Sequence, residues 1–149
     1  MRCLLAALIS MSACGAVHVS PYATEVYRVG RFDDVDPAGP RFIWSASRFS
    51  LRFEGPSIVA RLHQTTRPSS VEGPPQFLRI RAELDGKAKE LYADGRGSIR
   101  FEAKGLASGP HTLTLVRQSE ALIGEGQLIG FELAFGSRVL AWDAPPALR

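Results

Sequence analysis

Hydrophobic and polar positions alternate along most of this chain. Phe49, Leu51 and Phe53 interleave with Arg48, Ser50 and Arg52. Ile58, Ala60 and Leu62 interleave with Val59, Arg61 and His63, and Leu78, Ile80, Ala82 and Leu84 with Arg79, Arg81 and Glu83. A period of two sends successive side chains to opposite faces of a strand. Each run therefore predicts one apolar face turned to a core and one polar face turned to water. Residues 87–92, 98–102, 111–116 and 127–135 repeat the theme, and strand signals run from Val26 onward. No helical stripe follows the first fourteen residues. Asp85-Gly86 between two such runs is a strong hairpin signal. Asp94-Gly95, Glu54-Gly55-Pro56 and Ser108-Gly109-Pro110 punctuate the others. Residues 65–75, TTRPSSVEGPP, predict a polar, proline-rich surface loop. About eight short strands at this spacing predict an all-β fold, an antiparallel β-sandwich or jelly roll. The domain is expected over residues 22–142, with a linker-like tail at 143–149.

The first fourteen residues, MRCLLAALISMSAC, break this pattern. Arg2 precedes a short apolar run from Leu4 to Ile9, and small residues follow. A spanning helix needs about 20 apolar residues, so the run is too short. It reads as a secretory signal segment over residues 1–13. The MSAC before Gly15 has the form of a bacterial lipobox, whose cleavage leaves Cys14 as a lipid-bearing N-terminus. The expectation is an exported, membrane-anchored lipoprotein. The alternatives are a plain secretory signal and a mis-called start. Cys3 and Cys14 are the two cysteines. Once Cys3 leaves with the signal and Cys14 carries lipid, the folded body has no thiol for a disulfide or a thiolate metal site.

Composition changes the picture little. At 45% hydrophobic and 22% charged, the chain is ordinary globular material. The net charge is +3, but its cations are scattered and no run of five like charges occurs. A nucleic-acid partner is therefore not expected.

Candidate chemistry centres first on residues 30–44, GRFDDVDPAGPRFIW, where Asp33, Asp34 and Asp36 cluster. A calcium loop of D-x-[DN]-x-[DN]-G form needs a bidentate Glu at its twelfth position. Counted from Asp34, the fifth position is Ala38 and the twelfth is Ser45. The aspartates therefore read as turn residues that bond nearby backbone N–H groups. A looser calcium site stays open, and no metal or cofactor is assigned. No G-x-S-x-G elbow, H-E-x-x-H or paired-cysteine spacing occurs. Gly124-Glu125-Gly126 reads as a turn. A small hydrolase would rest on His63, His111 and loose carboxylates alone. Trp44, Trp142, Tyr22, Tyr27 and Tyr92 are aromatic candidates for stacking on a sugar ring. Trp44 and His111 are carried forward as candidate ligand contacts.

With those residues in view, the chain resembles the N-terminal domain of carbohydrate esterase family 2, the acetylxylan esterases and related polysaccharide deacetylases. The family's Gly-Arg-x-Asp, Pro-Arg-Phe-x-Trp and Arg-Phe-x-Gly fall on Gly30, Arg31, Asp33, Pro40, Arg41, Phe42, Trp44, Arg52, Phe53 and Gly55. Its Gly-x-His-Thr falls on Gly109, His111 and Thr112, and its Lys-Arg-Thr-Glu-Ala on residues 117–121, with Arg117 as the first cation and Glu120 kept. Two departures stand out. The family's Pro-Gly after the Trp is Ser45-Ala46 here, and its second cation is Gln118. The resemblance implies a jelly-roll accessory domain, which in relatives precedes an SGNH-type catalytic domain. This chain carries neither the Gly-Asp-Ser nor the Asp-x-x-His block of those esterases. The expected function is thus a non-catalytic module that binds polysaccharide or a partner esterase chain. The alternative is the N-terminal fragment of a split or truncated esterase.

Overall fold

The computed structural model describes residues 15–65 and 76–144. The signal segment with Cys14, most of the proline-rich loop and Pro145-Pro146 lie outside those residues. Eleven strands follow one another: β1 Val17–Val19, β2 Tyr27–Val29, β3 Arg41–Phe42, β4 Arg48–Glu54, β5 Ser57–Gln64, β6 Arg79–Leu84, β7 Lys87–Tyr92, β8 Ser98–Lys104, β9 Pro110–Arg117, β10 Gly126–Leu133 and β11 Arg138–Leu140. One turn of 3₁₀ helix, Ala121–Ile123, precedes β10. The seven long strands are the seven alternating runs of the sequence. The other four, β1, β2, β3 and β11, are two or three residues long, too short for a period of two to show.

Two antiparallel sheets result. The first runs β1-β10-β5-β8, and the second runs β11-β4-β9-β6-β7. In each, one outer edge is shared by two short pieces. β1 pairs with the Phe131–Leu133 end of β10, and β3 with Gly126 and Gln127. β2 pairs with the first half of β4, and β11 with the second. The alternating apolar sets meet between the sheets. Phe49, Leu51, Phe53, Ile58, Ala60, Leu113, Leu115 and Leu128 are all at most 1% exposed. Each large side chain so buried contributes about 1.5–3 kcal/mol. Phe32 and Phe42 close the core by packing on Phe49, with ring centroids 5.0 and 5.2 Å away. The sandwich is therefore held by packing, with two ends defined by strand direction. An upper end holds the start of β10 and the end of β9. A lower end holds the end of β10, the start of β9 and the end of β4.

The far edges are β7 and β8. On β7, Lys87 and Lys89 stand opposite Leu84 and Ala82, so they lie on the inward side of the strand, yet both stay exposed at the rim. Charges placed so discourage another strand from pairing with the edge.

The aspartate-rich loop before β3 is clamped onto β10. Leu128 N–H donates to the Pro40 carbonyl at 3.1 Å, and Gln127 Nε2 to the Gly39 carbonyl at 2.9 Å. Gly39 has φ +154°, and a Cβ there would lie 1.8 Å from the Leu128 carbonyl oxygen. No L side chain fits without moving the backbone. Gly39→Ala is expected to lower the unfolding free energy by roughly 2–3 kcal/mol in urea titrations. A loss under about 0.5 kcal/mol, the range of ordinary surface substitutions, would show that this clamp is not tight.

Candidate functional site

Arg117 ends β9 with its side chain turned inward, 1% exposed. Among the described residues its guanidinium pairs with no carboxylate. It donates instead to four backbone carbonyls: Nε to Ser119 at 3.0 Å, Nη1 to Phe42 at 3.3 Å, and Nη2 to Glu120 at 2.6 Å and Gly124 at 2.7 Å. Burial pushes its pKa down from the usual arginine value. Arginine nevertheless stays charged, and its planar fork suits several acceptors at once. The side chain thus ties the turn after β3 to the loop 118–125. Backbone bonds reinforce the tie, from Ala46 N–H to the Arg117 carbonyl at 3.0 Å and from Arg117 N–H to the Ser47 carbonyl at 2.9 Å. Ser45 Oγ adds a bond to the Ser119 carbonyl at 2.9 Å. Ala46 has φ 63°, a left-handed conformation in which the glycine of the family pattern is unstrained. Glu120 serves through its carbonyl, while its side chain is exposed.

The loops so held form a shallow cleft of about 180 Å³ at the upper end, lined by Arg31, Asp33, Arg41, Ile43, Trp44 and Glu125 among others. Asp33 and Arg41 exchange two backbone bonds of 2.9 Å. Arg41 reaches Glu125 at 3.4 Å and also bonds Asp36. The bond to Asp36 holds the Arg41 pKa above its ordinary value. Trp44 is 49% exposed, and the Arg31 guanidinium lies over its ring, 5.8 Å from the centroid. The cleft therefore offers one open aromatic face beside charged donors and acceptors. Four of the motif residues, Arg31, Asp33, Arg41 and Trp44, converge here.

The aspartates are used by their own turn. Asp33 accepts from Val35 N–H at 3.0 Å, and Asp36 from Ala38 N–H at 2.9 Å. Asp34 forms a fork with Arg28 at 2.6 and 3.2 Å. The Ala38 N–H bond first, and Arg41 next, lower the Asp36 pKa. Among the described residues no group of three or more His, Cys, Asp or Glu side chains is placed to hold a metal ion.

His111 lies at the other end of β9, 8% exposed. Its Nδ1 is 2.7 Å from Asp85 Oδ2 and its Nε2 is 2.8 Å from the Ala107 carbonyl. Both nitrogens face acceptors, so the doubly protonated ring fits best. The bond to Asp85 raises the His111 pKa. The ring pins the β6–β7 hairpin to the loop 105–109. It has no free nitrogen for a ligand and does not meet Trp44. Trp142 donates to the Glu25 carbonyl at 2.8 Å and packs on Tyr27, and Tyr22 donates to the Asp36 carbonyl. These aromatics brace the fold and do not extend the Trp44 surface. Glu125 and Ile43 are cleft residues that the sequence reading passed over. Glu125 stood between two glycines and read as part of a turn.

A family model described as "Carbohydrate esterase 2 N-terminal" matches residues 28–145. The cellulase/esterase CelE of Acetivibrio thermocellus is 32% identical over 113 residues, which cover 75% of this chain. A family two carbohydrate esterase from Clostridium thermocellum, solved in complex with cellohexaose, superposes with a TM-score of 0.64 at 29% identity over 82% of this chain. A family 35 carbohydrate-binding module from an environmental isolate shares the fold, with a TM-score of 0.58 at 10% identity over 85% of this chain and 98% of its own. The chain spans 13% of CelE and 34% of the Clostridium esterase.

Two predictions follow from this geometry. Arg117→Met removes the cation from four carbonyls and is expected to cost roughly 3–4 kcal/mol in urea unfolding, because each orphaned acceptor costs about 1–3 kcal/mol before relaxation. Arg117→Lys is expected to recover only part of that loss, since an ammonium cannot present the fork. The second concerns pH. His111 has a folded pKa above its unfolded value of about 6.5. Its stabilisation is then complete below about pH 6.5 and is lost as pH rises through the folded pKa. The urea midpoint should fall as pH rises above about 6.5, and His111→Asn should flatten that decline. An unchanged slope in the variant would remove His111 as its source.

Proposed function

Because the chain belongs to the family of carbohydrate esterase 2 N-terminal domains, we propose that it is an exported, non-catalytic module that binds polysaccharide in the cleft built on Trp44. The observation that supports this reading is the half-exposed Trp44 ring, backed by Arg31 and bordered by Asp33, Arg41 and Glu125. A sugar ring has an apolar C–H face and a rim of hydroxyls. The first stacks on an indole, and the second bonds with carboxylates and guanidinium groups. The Clostridium relative solved with cellohexaose makes β-linked glucans the first class to try. Cys14, at the end of a lipobox-like segment, anchors the module to a membrane in this reading. The chain carries no Gly-Asp-Ser or Asp-x-x-His block, and hydrolysis of p-nitrophenyl acetate above the buffer rate is not expected.

A second reading is favoured by the relatives, in which the matching segment is a small part of a larger esterase chain. There the domain serves an esterase, carried on the same polypeptide or on a separate one. Affinity electrophoresis and calorimetry with cellohexaose, xylan and mannan separate the two. Binding of at least one glycan is expected, and Trp44→Ala should weaken it about tenfold or more, which is about 1.4 kcal/mol. Its urea midpoint should not change. Equal affinity in the variant would move the site elsewhere. Silence on every glycan, with an SGNH-type esterase captured in its place, would favour the second reading.

A further inference from the structure

The lower end of the sandwich differs in chemistry from the upper. Val17 stands opposite Leu133, so Gly15 and Ala16, which lead into β1, lie at this end. Beside that point the turn after β10 presents Phe135, 69% exposed. The surrounding ion pairs are tilted outward. Lys104 has a side chain 75% exposed against 34% for its partner Glu102, and Arg138 is 69% exposed against 32% for Glu54. Lys87, after the hairpin turn, is exposed as well. Asp85 is held by His111 and by Thr112 N–H, and Glu132, near the end of β10, by Arg61. Cations therefore project while their carboxylates are recessed. Between them lies an open depression of about 380 Å³, bordered by Pro56, Leu106 and Ser108 among others. At the upper rim, Asp33, Asp34 and Glu120 are exposed beside Arg31.

We propose that this lower end, which carries Phe135, Arg138, Lys104 and, at its far edge, Lys87, is a seating surface for an anionic lipid bilayer. Phe135 enters the headgroup layer, and the three cations meet lipid phosphates. β10 has eight residues between the two ends, so the Trp44 cleft is held about 25 Å above the bilayer and faces away from it. The proposal adds an orientation to the anchored-module reading and rests on that reading only for the anchor at Cys14.

The test uses the processed chain, purified from membranes of a bacterial host that expresses the full reading frame. It is mixed with vesicles of phosphatidylglycerol and phosphatidylethanolamine that carry brominated acyl chains. The indole introduced by Phe135→Trp is expected to be quenched, while native Trp44 and Trp142 are not. Lys87→Glu with Lys104→Glu should weaken the salt-sensitive part of vesicle binding about fivefold for each site. An unquenched Phe135→Trp indole in vesicle-bound protein overturns the proposal, as does equal quenching of the native tryptophans. Charge reversals without effect also overturn it. The mass of the N-terminal peptide reports lipidation of Cys14 separately. Cellohexaose binding by the same variants separates a failure of this surface from a failure of the glycan site.

Discussion

The upper end of the molecule depends on one buried guanidinium. Four carbonyls, from Phe42, Ser119, Glu120 and Gly124, point at one spot where the turn after β3 meets the loop before β10. The Glu120 carbonyl has a second donor in Ile123 N–H at 3.2 Å, and Phe42 lies in the β3–β10 pairing. Without a cation, their negative ends would face one another in a dry interior, at a cost of about 1–3 kcal/mol each. Arg117 resolves that conflict and is itself compensated, since four acceptors offset much of its lost hydration. The aromatic face of Trp44 and the charged border of the cleft are mounted on the two segments it joins.

This placement explains why some motif residues could be read from the chain and others could not. Phe49, Leu51 and Phe53 announced themselves because a period of two is a local property, and burial follows from it. β1, β2, β3 and β11 have no such signature. They exist because β10 and β4 leave open edges beside them, and that is decided by neighbours far away in sequence. Arg117 and Glu120 were legible in the chain only as members of the motif at residues 117–121. In the fold, the first is buried and the second contributes a carbonyl, which leaves its identity unread. Asp33, Asp34 and Asp36 were legible as turn residues, because Asx turns need only two or three neighbours. His111 was not, because its partner Asp85 lies in another hairpin.

The domain also shows how a sandwich without thiols in its described residues divides its work. Packing between the sheets supplies stability, as the nearly complete burial of Leu51, Ile58 and Leu113 indicates. Specific polar chemistry is pushed to the two ends, where loops are free of ladder constraints. Arg117 organises one end and the His111–Asp85 pair the other. Each is a cation set against oxygen acceptors, yet the first carries permanent charge and the second titrates. The two ends therefore answer differently to alkaline conditions, although β9 joins them directly.

The inward lysines of β7 bear on how many copies can share a surface. Molecules crowded side by side meet far more often than in dilute solution, and a bare strand edge would let them zip into a continuous ribbon. Lys87 and Lys89 make that pairing costly, because a docking strand would have to strip water from two ammonium groups. Neighbours that meet at this edge thus stay separate particles even at high density.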